Sequence, residues 1–176
     1  MLFALIRFLF AVALVLFLVS PSVAFADLAD EIVAATNRER VSRGLNPLKT
    51  ESALSQAAAK RAQELTRSFS HDRPNGREAS SVFDEFGIDF QKFAENIYYD
   101  SYPRLNPAQA VKTWMGSSGH RQNILGADYT HIGVGVRRGD NGLNYAVQLF
   151  KKEWGDRNAR PNRPRNNGGR SRSRGR

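Results

Sequence analysis

Three side chains suited to acid–base or metal chemistry stand out in the sequence: His71, Glu95 and His120. His71 precedes the turn sequence Pro74-Asn75-Gly76, so it is predicted to lie in a loop, where binding sites are often built. Glu95 stands in the β-prone run Phe93–Tyr99, which predicts that it is largely buried. A buried carboxylate needs a partner, which is a backbone amide, an arginine, a histidine or a metal ion.

His120 follows a helix and a turn of small residues. Asn106-Pro107 reads as an N-cap with proline at the first helical position, and the helical spacing that follows predicts an inward-facing Trp114. Glycine and serine at 116–119 interrupt this helix, and His120 opens the next one. The third histidine, His131, starts a predicted strand, and we interpret it as structural.

The chain has no cysteine, which excludes thiolate catalysis and cysteine-based metal sites. Residues 1–20 are almost wholly apolar apart from Arg7, and Ala24-Phe25-Ala26 follows. This pattern predicts a signal peptide over residues 1–26, and hence a secreted or extracytoplasmic protein. The alternative is an uncleaved N-terminal anchor. With one core rather than two, residues 27–154 are predicted to form a single domain, and we expect a monomer.

The positive charge lies in the C-terminal tail. The formal net charge is +9, yet residues 27–150 carry equal numbers of basic and acidic side chains, while residues 151–176 hold ten basic and two acidic ones. Residues 155–176 contain no large apolar side chain, which predicts a disordered basic tail. Behind a signal peptide, the expected counterparts are anionic polymers or a membrane surface, without sequence-specific nucleic-acid binding. The alternative is a solvated tail that only aids solubility.

The remaining pattern predicts helices before strands. Helices are expected at 27–43, at 51–66 and, shorter, at 80–87, followed by strands around Glu95, at 131–137 and at 143–150. Glycines 133 and 135 lie on one side of their strand, where a helix can approach closely. The turn sequence at 139–142 joins the last two strands as a hairpin. This order predicts an α+β fold with a small antiparallel sheet covered by helices.

Several motifs in order resemble the CAP superfamily of cysteine-rich secretory proteins, antigen 5 and pathogenesis-related proteins, and most closely its bacterial extracellular SCP-like members. The motifs lie between Leu28 and Phe150 and comprise Asn37–Arg40, Gly44–Leu48, Phe69–Gly76, Ala94–Ile97, Trp114–Leu125, Ile132–Gly135 and Gln148–Phe150. The resemblance implies a three-layer α-β-α sandwich with a central antiparallel sheet. It also implies a cleft of two histidines and two acidic residues that binds zinc or another divalent metal in some members.

The resemblance assigns the cleft residues to His71, Glu95 and His120, with Ala94 in place of the family's usual glycine. The second family glutamate falls on Ser117, so the acidic set is incomplete. Two imidazoles and one carboxylate suit zinc and leave a fourth position open for water. The alternative is a metal-free network in which Glu95 orients both histidines.

Two functions are consistent with this cleft. The first is a secreted binding module for a small apolar or cell-envelope ligand, in which the His/Glu cluster is structural or regulatory. The second is a metal-dependent hydrolase, peptidase-like, acting on a peptide or cell-wall polymer through His71, Glu95 and His120. Since no nucleophile or oxyanion site can be assigned from the sequence, it leaves open whether the protein is an enzyme.

Overall fold

The structure is a computed structural model that describes residues 21–155. The elements are, in chain order, α1 (Pro21–Val41), α2 (Ser52–Leu65), a 3-10 turn (Ala79–Ser81), α3 (Val82–Glu85), β1 (Lys92–Asp100), α4 (Pro107–Gly116), α5 (Ser118–Leu125), β2 (His131–Arg138) and β3 (Asn144–Lys152). The predicted basic tail from residue 156 and the first twenty residues of the predicted signal peptide lie outside this range.

The first helix begins earlier than the sequence predicts. It starts at Pro21 rather than residue 27, with a proline in the first turn, where the missing N–H has no helical partner. It ends at Val41, and Gly44 adopts a φ of 74° just beyond it. The structure therefore joins residues 21–26 to the first helix of the domain. None of the helices within residues 21–155 combines the length and apolarity that crossing a lipid bilayer requires.

The three strands form one antiparallel sheet in the order β1-β3-β2. The last strand is therefore central, and β1 and β2 form the two edges. Part of the β2 edge is occupied, because Lys49 pairs with His131 in parallel just before the chain enters α2.

Helices cover both faces of the sheet. One core lies between the sheet and α1, α4 and α5, and contains Ile32, Trp114 and Phe150. The other lies between the sheet and α2 and α3, and contains Leu54 and Phe83. The predicted α+β, α-β-α architecture is confirmed.

Two local predictions around α4 are confirmed, whereas the helix break predicted at residues 116–119 is confined to Ser117. Asn106 caps α4, since its side chain accepts a hydrogen bond from the N–H of Gln109. Trp114 is fully buried, and its indole N–H donates to the carbonyl of Ile97 at 3.0 Å. This bond ties α4 to β1, the strand that carries Glu95.

The two glycines of β2 allow α2 to lie directly on the sheet. A Cβ on Gly133 would lie inside contact distance of the backbone of Leu54, and one on Gly135 would meet the carbonyl of Ala58. The expected close approach is confirmed, and it explains why α2 packs along β2.

Candidate functional site

Glu95 is a buried carboxylate held by an arginine. It lies on β1 on the side of the sheet that faces α2, with its side chain 2% exposed. Arg61, fully buried on α2, donates from Nε to Oε2 at 2.8 Å and from Nη2 to Oε1 at 3.2 Å. Such a two-point contact fixes the plane of the carboxylate as well as its charge.

His71 completes the contacts of this carboxylate from the loop side. Its Nδ1 lies 2.8 Å from Oε1 of Glu95, and its side chain is 60% exposed. The hydrogen bond with Glu95 raises the pKa of His71 above its usual value. Because Nδ1 faces Glu95, Nε2 is the ring nitrogen available to a ligand.

Glu95 is one end of a row of buried charged side chains of alternating sign, Glu95, Arg61, Glu64 and Arg73. Arg61 donates to Glu64 at 2.9 Å, and Arg73 donates to both oxygens of Glu64 at 2.6 and 3.0 Å. Burial alone would raise the pKa of Glu64, but the hydrogen bonds from Arg73 and Arg61 lower it below its ordinary value. Arg61 also donates to the carbonyl of Ser70 at 2.9 Å, which anchors the loop that carries His71.

His120 lies in the first turn of α5, next to the same strand. The side chain of Asn96 donates to the backbone carbonyl of His120 at 3.1 Å. Burial, and then the positive charge of His71, lower the pKa of His120. The two imidazoles are therefore electrostatic neighbours, and the neutral form of the one on α5 is favoured.

A second polar chain runs through the opposite core. Asn123 donates to Asn96, and Asn96 donates to Gln148 on β3, both at 2.9 Å. Gln148 in turn donates to the hydroxyl of Thr36 on α1 at 2.7 Å. This chain connects the strand and helix that position His120 to the first helix of the domain.

The loop that carries His71 also carries an exposed aromatic ring. Phe69, two residues earlier in the loop, meets Tyr99 of β1 edge to face, with ring centroids 4.8 Å apart. These side chains belong to residues that are 44% and 52% exposed, and Tyr102 nearby in sequence is 58% exposed. The loop of His71 and the end of β1 therefore expose apolar ring surface as well as a polar imidazole.

A different His/Glu group lies at the other end of the sheet. Within the described part of the chain, Glu51, His131 and Glu153 are the set whose ligand atoms all lie within 4.8 Å of one another, so this group could hold a metal ion. The buried ammonium of Lys151, however, already forms ion pairs with Glu51 and, at 3.4 Å, with Glu153. The ammonium of Lys151 therefore supplies the positive charge that a metal ion would otherwise bring to these two carboxylates.

The sequence profile of the cysteine-rich secretory protein family, CAP, matches residues 33–150. This chain belongs to the CAP family. The uncharacterized protein YkwD of Bacillus subtilis (strain 168) is 37% identical over 107 residues, which are 60% of this chain and 40% of YkwD.

CAP proteins of known structure share the fold. An extracellular protein containing an SCP domain from Bacillus anthracis str. Ames aligns with a TM-score of 0.66 and 24% identity, over 73% of this chain and 41% of that one. The structure of NaASP2 with Zn2+ aligns with a TM-score of 0.54 and 16% identity, over 73% and 85% of the two chains. This chain spans about two fifths of the length of YkwD and of the Bacillus anthracis protein.

Among the predicted cleft residues, His71 hydrogen-bonds to Glu95 directly. His120 interacts with this pair through the charge of His71, which lowers the pKa of His120. Both oxygens of Glu95 already accept hydrogen bonds, which leaves this carboxylate little capacity to ligate a metal directly. Ser117, at the position of the second family glutamate, is the N-cap residue of α5. Sequence reasoning missed Arg61, although it falls on the apolar stripe of α2, where an arginine signals a buried partner.

Proposed function

We propose that this chain is a secreted CAP-domain binding module whose cleft, at the β1 edge, takes a small apolar or cell-envelope ligand. One arrangement supports the proposal: the buried carboxylate of Glu95 holds the exposed imidazole of His71 from behind, and the same loop carries the exposed ring of Phe69, which packs against Tyr99. Aromatic rings bury large apolar area on a ligand, and a few fixed polar groups orient it.

We further propose that His71 and His120 bind a divalent metal, with zinc as the preferred ion. Neutral imidazole is a common zinc ligand, and a carboxylate commonly holds the other ring nitrogen of a ligating histidine. Glu95 has this relation to His71, so it acts here as the positioning group rather than as a ligand. When bound, the metal supplies a Lewis acid that attracts a polar or anionic group of the ligand.

Calorimetric zinc titration of the purified protein tests the metal site, with His71→Ala, His120→Ala and His131→Ala compared. We expect a single site that is lost in the first two variants and retained in the third. Glu95→Gln should weaken zinc binding by roughly 10- to 100-fold. A site that survives both substitutions but disappears in His131→Ala would instead place the metal with Glu51 and Glu153.

The ligand class is tested separately with two probes, phospholipid vesicles and purified cell-wall polymer, in co-sedimentation. Phe69→Ala and Tyr99→Ala should each reduce retention, while Val41→Ala, which removes an exposed apolar side chain elsewhere, should not. Equal retention of all variants would contradict a ligand surface at these rings.

The lowered pKa of His120 favours a second candidate function, a metal-dependent hydrolase of peptides or cell-wall polymers. A neutral imidazole has the free lone pair that a metal ligand needs, and a metal bound there would lower the pKa of a bound water and so supply the nucleophile. Release of soluble fragments from cell-wall polymer by the zinc-loaded protein, abolished in His120→Ala, would establish it. Binding without release would leave the module as a binder only.

The basic tail adds weak tethering to anionic polymers or membrane surfaces in this proposal. Its support is the excess of basic residues after residue 150. Binding to anionic vesicles should fall steeply with salt and disappear when the chain is truncated after Trp154. Unchanged, salt-independent binding by the truncated protein would contradict it.

A further inference from the structure

The far edge of the sheet presents backbone groups that face outward. On β2, the N–H of Ile132 donates to the carbonyl of Lys49, on the side away from β3. Backbone groups of alternate residues in a strand point the same way, so those of Val134 and Val136 also face this edge. The pairing with Lys49 ends there, because the chain enters α2 at Ser52.

These edge groups have no partner in the described part of the chain. Within residues 25–155, no residue hydrogen-bonds to the outward N–H or C=O groups of Val134 and Val136. Both residues are nevertheless buried, at 4% and 7% exposure. Backbone groups in such surroundings are normally paired, so this stretch of edge is suited to receive another strand.

A groove of about 620 Å³ lies over this edge, between the flanks of α1 and α2. Ala29 and Val33 line its α1 side, whereas the α2 side is mostly polar and includes Lys60. The two helices cover opposite faces of the sheet, and the groove lies between them at the free part of the β2 edge.

We propose that this groove binds an extended peptide segment of another protein, which adds a strand to β2. Main-chain hydrogen bonds to Val134 and Val136 provide affinity, and alternate side chains provide specificity. In an added strand, successive side chains point to opposite flanks. The segment that fits therefore carries apolar side chains towards α1 and polar ones towards α2.

Charge selects acidic residues for the polar side of that peptide. Lys60 and Arg137 both line the groove, and neither forms an ion pair within residues 25–155. The one acidic lining residue, Asp30, lies on α1, the flank that receives the apolar side chains. The chain's own tail, residues 155–176, fits poorly, because its eight arginines would face Lys60 and Arg137.

The test uses an acetylated heptapeptide of alternating valine and glutamate, measured by fluorescence anisotropy. Two control peptides carry lysine in place of glutamate, or methyl groups on the edge-facing amides. We expect saturable binding of the first peptide. Each control peptide should bind at least about tenfold more weakly, because a lost hydrogen bond or a like-charge contact costs about that factor in affinity. Hydrogen exchange at Val134 and Val136 should slow when the peptide binds.

Protein variants complete the test. Val136→Pro removes one edge N–H that is not bonded to β3, so the fold should persist while peptide affinity falls about tenfold. The double variant Lys60→Glu, Arg137→Glu should prefer the lysine peptide. Far-UV circular dichroism and the thermal unfolding midpoint serve as the folding controls. No saturable binding, equal binding of the methylated peptide, or a groove closed by self-association would each overturn the proposal.

Discussion

The two edges of the sheet differ in how their polar groups are satisfied. At β1, Glu95 lies within a network of side-chain charges, with Arg61 and His71 both in contact with it. At β2, the side chains that face the helices are small or apolar, and the unpaired polar groups are those of the backbone at Val134 and Val136. The first edge is organised by charge and the second by close packing.

This difference separates the two proposed activities. A cleft made of oriented side chains can recognise an ion or a polar group, because its donors and acceptors are fixed in number and direction. A free strand edge binds any segment whose backbone is extended, and the flanking side chains then select its sequence. Substitutions at one edge should therefore leave the ligand of the other largely unaffected.

The largest effect is expected from Arg61→Leu. It removes the guanidinium that neutralises both Glu95 and Glu64, leaving two buried carboxylates with fewer partners. Breaking a buried ion pair in this way costs about 3–5 kcal/mol of unfolding free energy. Denaturant unfolding monitored by circular dichroism measures it.

Two controls accompany this substitution. Arg43→Leu removes only exposed contacts, an ion pair with Glu39 and hydrogen bonds to Glu39 and Ser42, and should change stability by less than about 1 kcal/mol. Arg61→Lys keeps the positive charge but cannot make the two-point contact with Glu95, so its stability should lie between those of the wild type and Arg61→Leu. Similar losses for Arg61→Leu and Arg43→Leu would show that the β1 edge does not depend on its buried charges.

At the β2 edge, Gly135→Ala should destabilise by about 3 kcal/mol, because the new methyl group meets the carbonyl of Ala58 on α2. Gly119→Ala is the matched control. Nothing lies within 4 Å of the Cβ position of Gly119, and alanine favours a helix there by up to about 1 kcal/mol. Thermal unfolding of both variants compares them. A tolerated Gly135→Ala would mean that α2 moves easily off the strand.

The fold could be predicted from the sequence because its signals are local. Helix periodicity, the Asn106 cap and the two strand glycines each report on their own neighbourhood, and each agrees with the structure. The start of α1 was predicted six residues late, since an apolar leader-like pattern and the first turns of a helix look alike over residues 21–26.

The candidate site could be predicted only in part. The burial of Glu95 follows from its apolar neighbours, but its partner lies 34 positions away on α2. Arg61 sits in an alanine-rich stripe that looks like ordinary core, and only the fold shows which carboxylates it meets. The unpaired groups at Val134 and Val136 could not be predicted at all, because every strand sequence carries the same backbone.

A gradual loss of stability in acid should follow from Glu64. Although burial acts to raise its pKa, the hydrogen bonds from Arg73 and Arg61 hold it below the ordinary value of 4.5. The folded state therefore binds this proton less readily than the unfolded state. Its stabilisation is complete above the unfolded pKa and disappears as pH falls through the folded pKa. Denaturant unfolding from pH 6 downward should show a smaller acid slope in Glu64→Gln; an unchanged slope would assign the acid sensitivity elsewhere.

The smallest effect tests whether the two edges communicate. The polar chain from Thr36 through Gln148 and Asn96 connects α1, which lines the β2 groove, with the carbonyl of His120. Thr36→Val keeps the shape but leaves Gln148 without its acceptor, at a cost of about 1–3 kcal/mol. Thr113→Val removes a similar hydroxyl bond on an exposed helix face and should cost less. If the edges are independent, zinc affinity in Thr36→Val should stay within about threefold of wild type, since less than 1 kcal/mol would reach His120. A larger loss of zinc affinity, with stability corrected for, would mean that occupation of the groove and of the cleft are coupled through this chain.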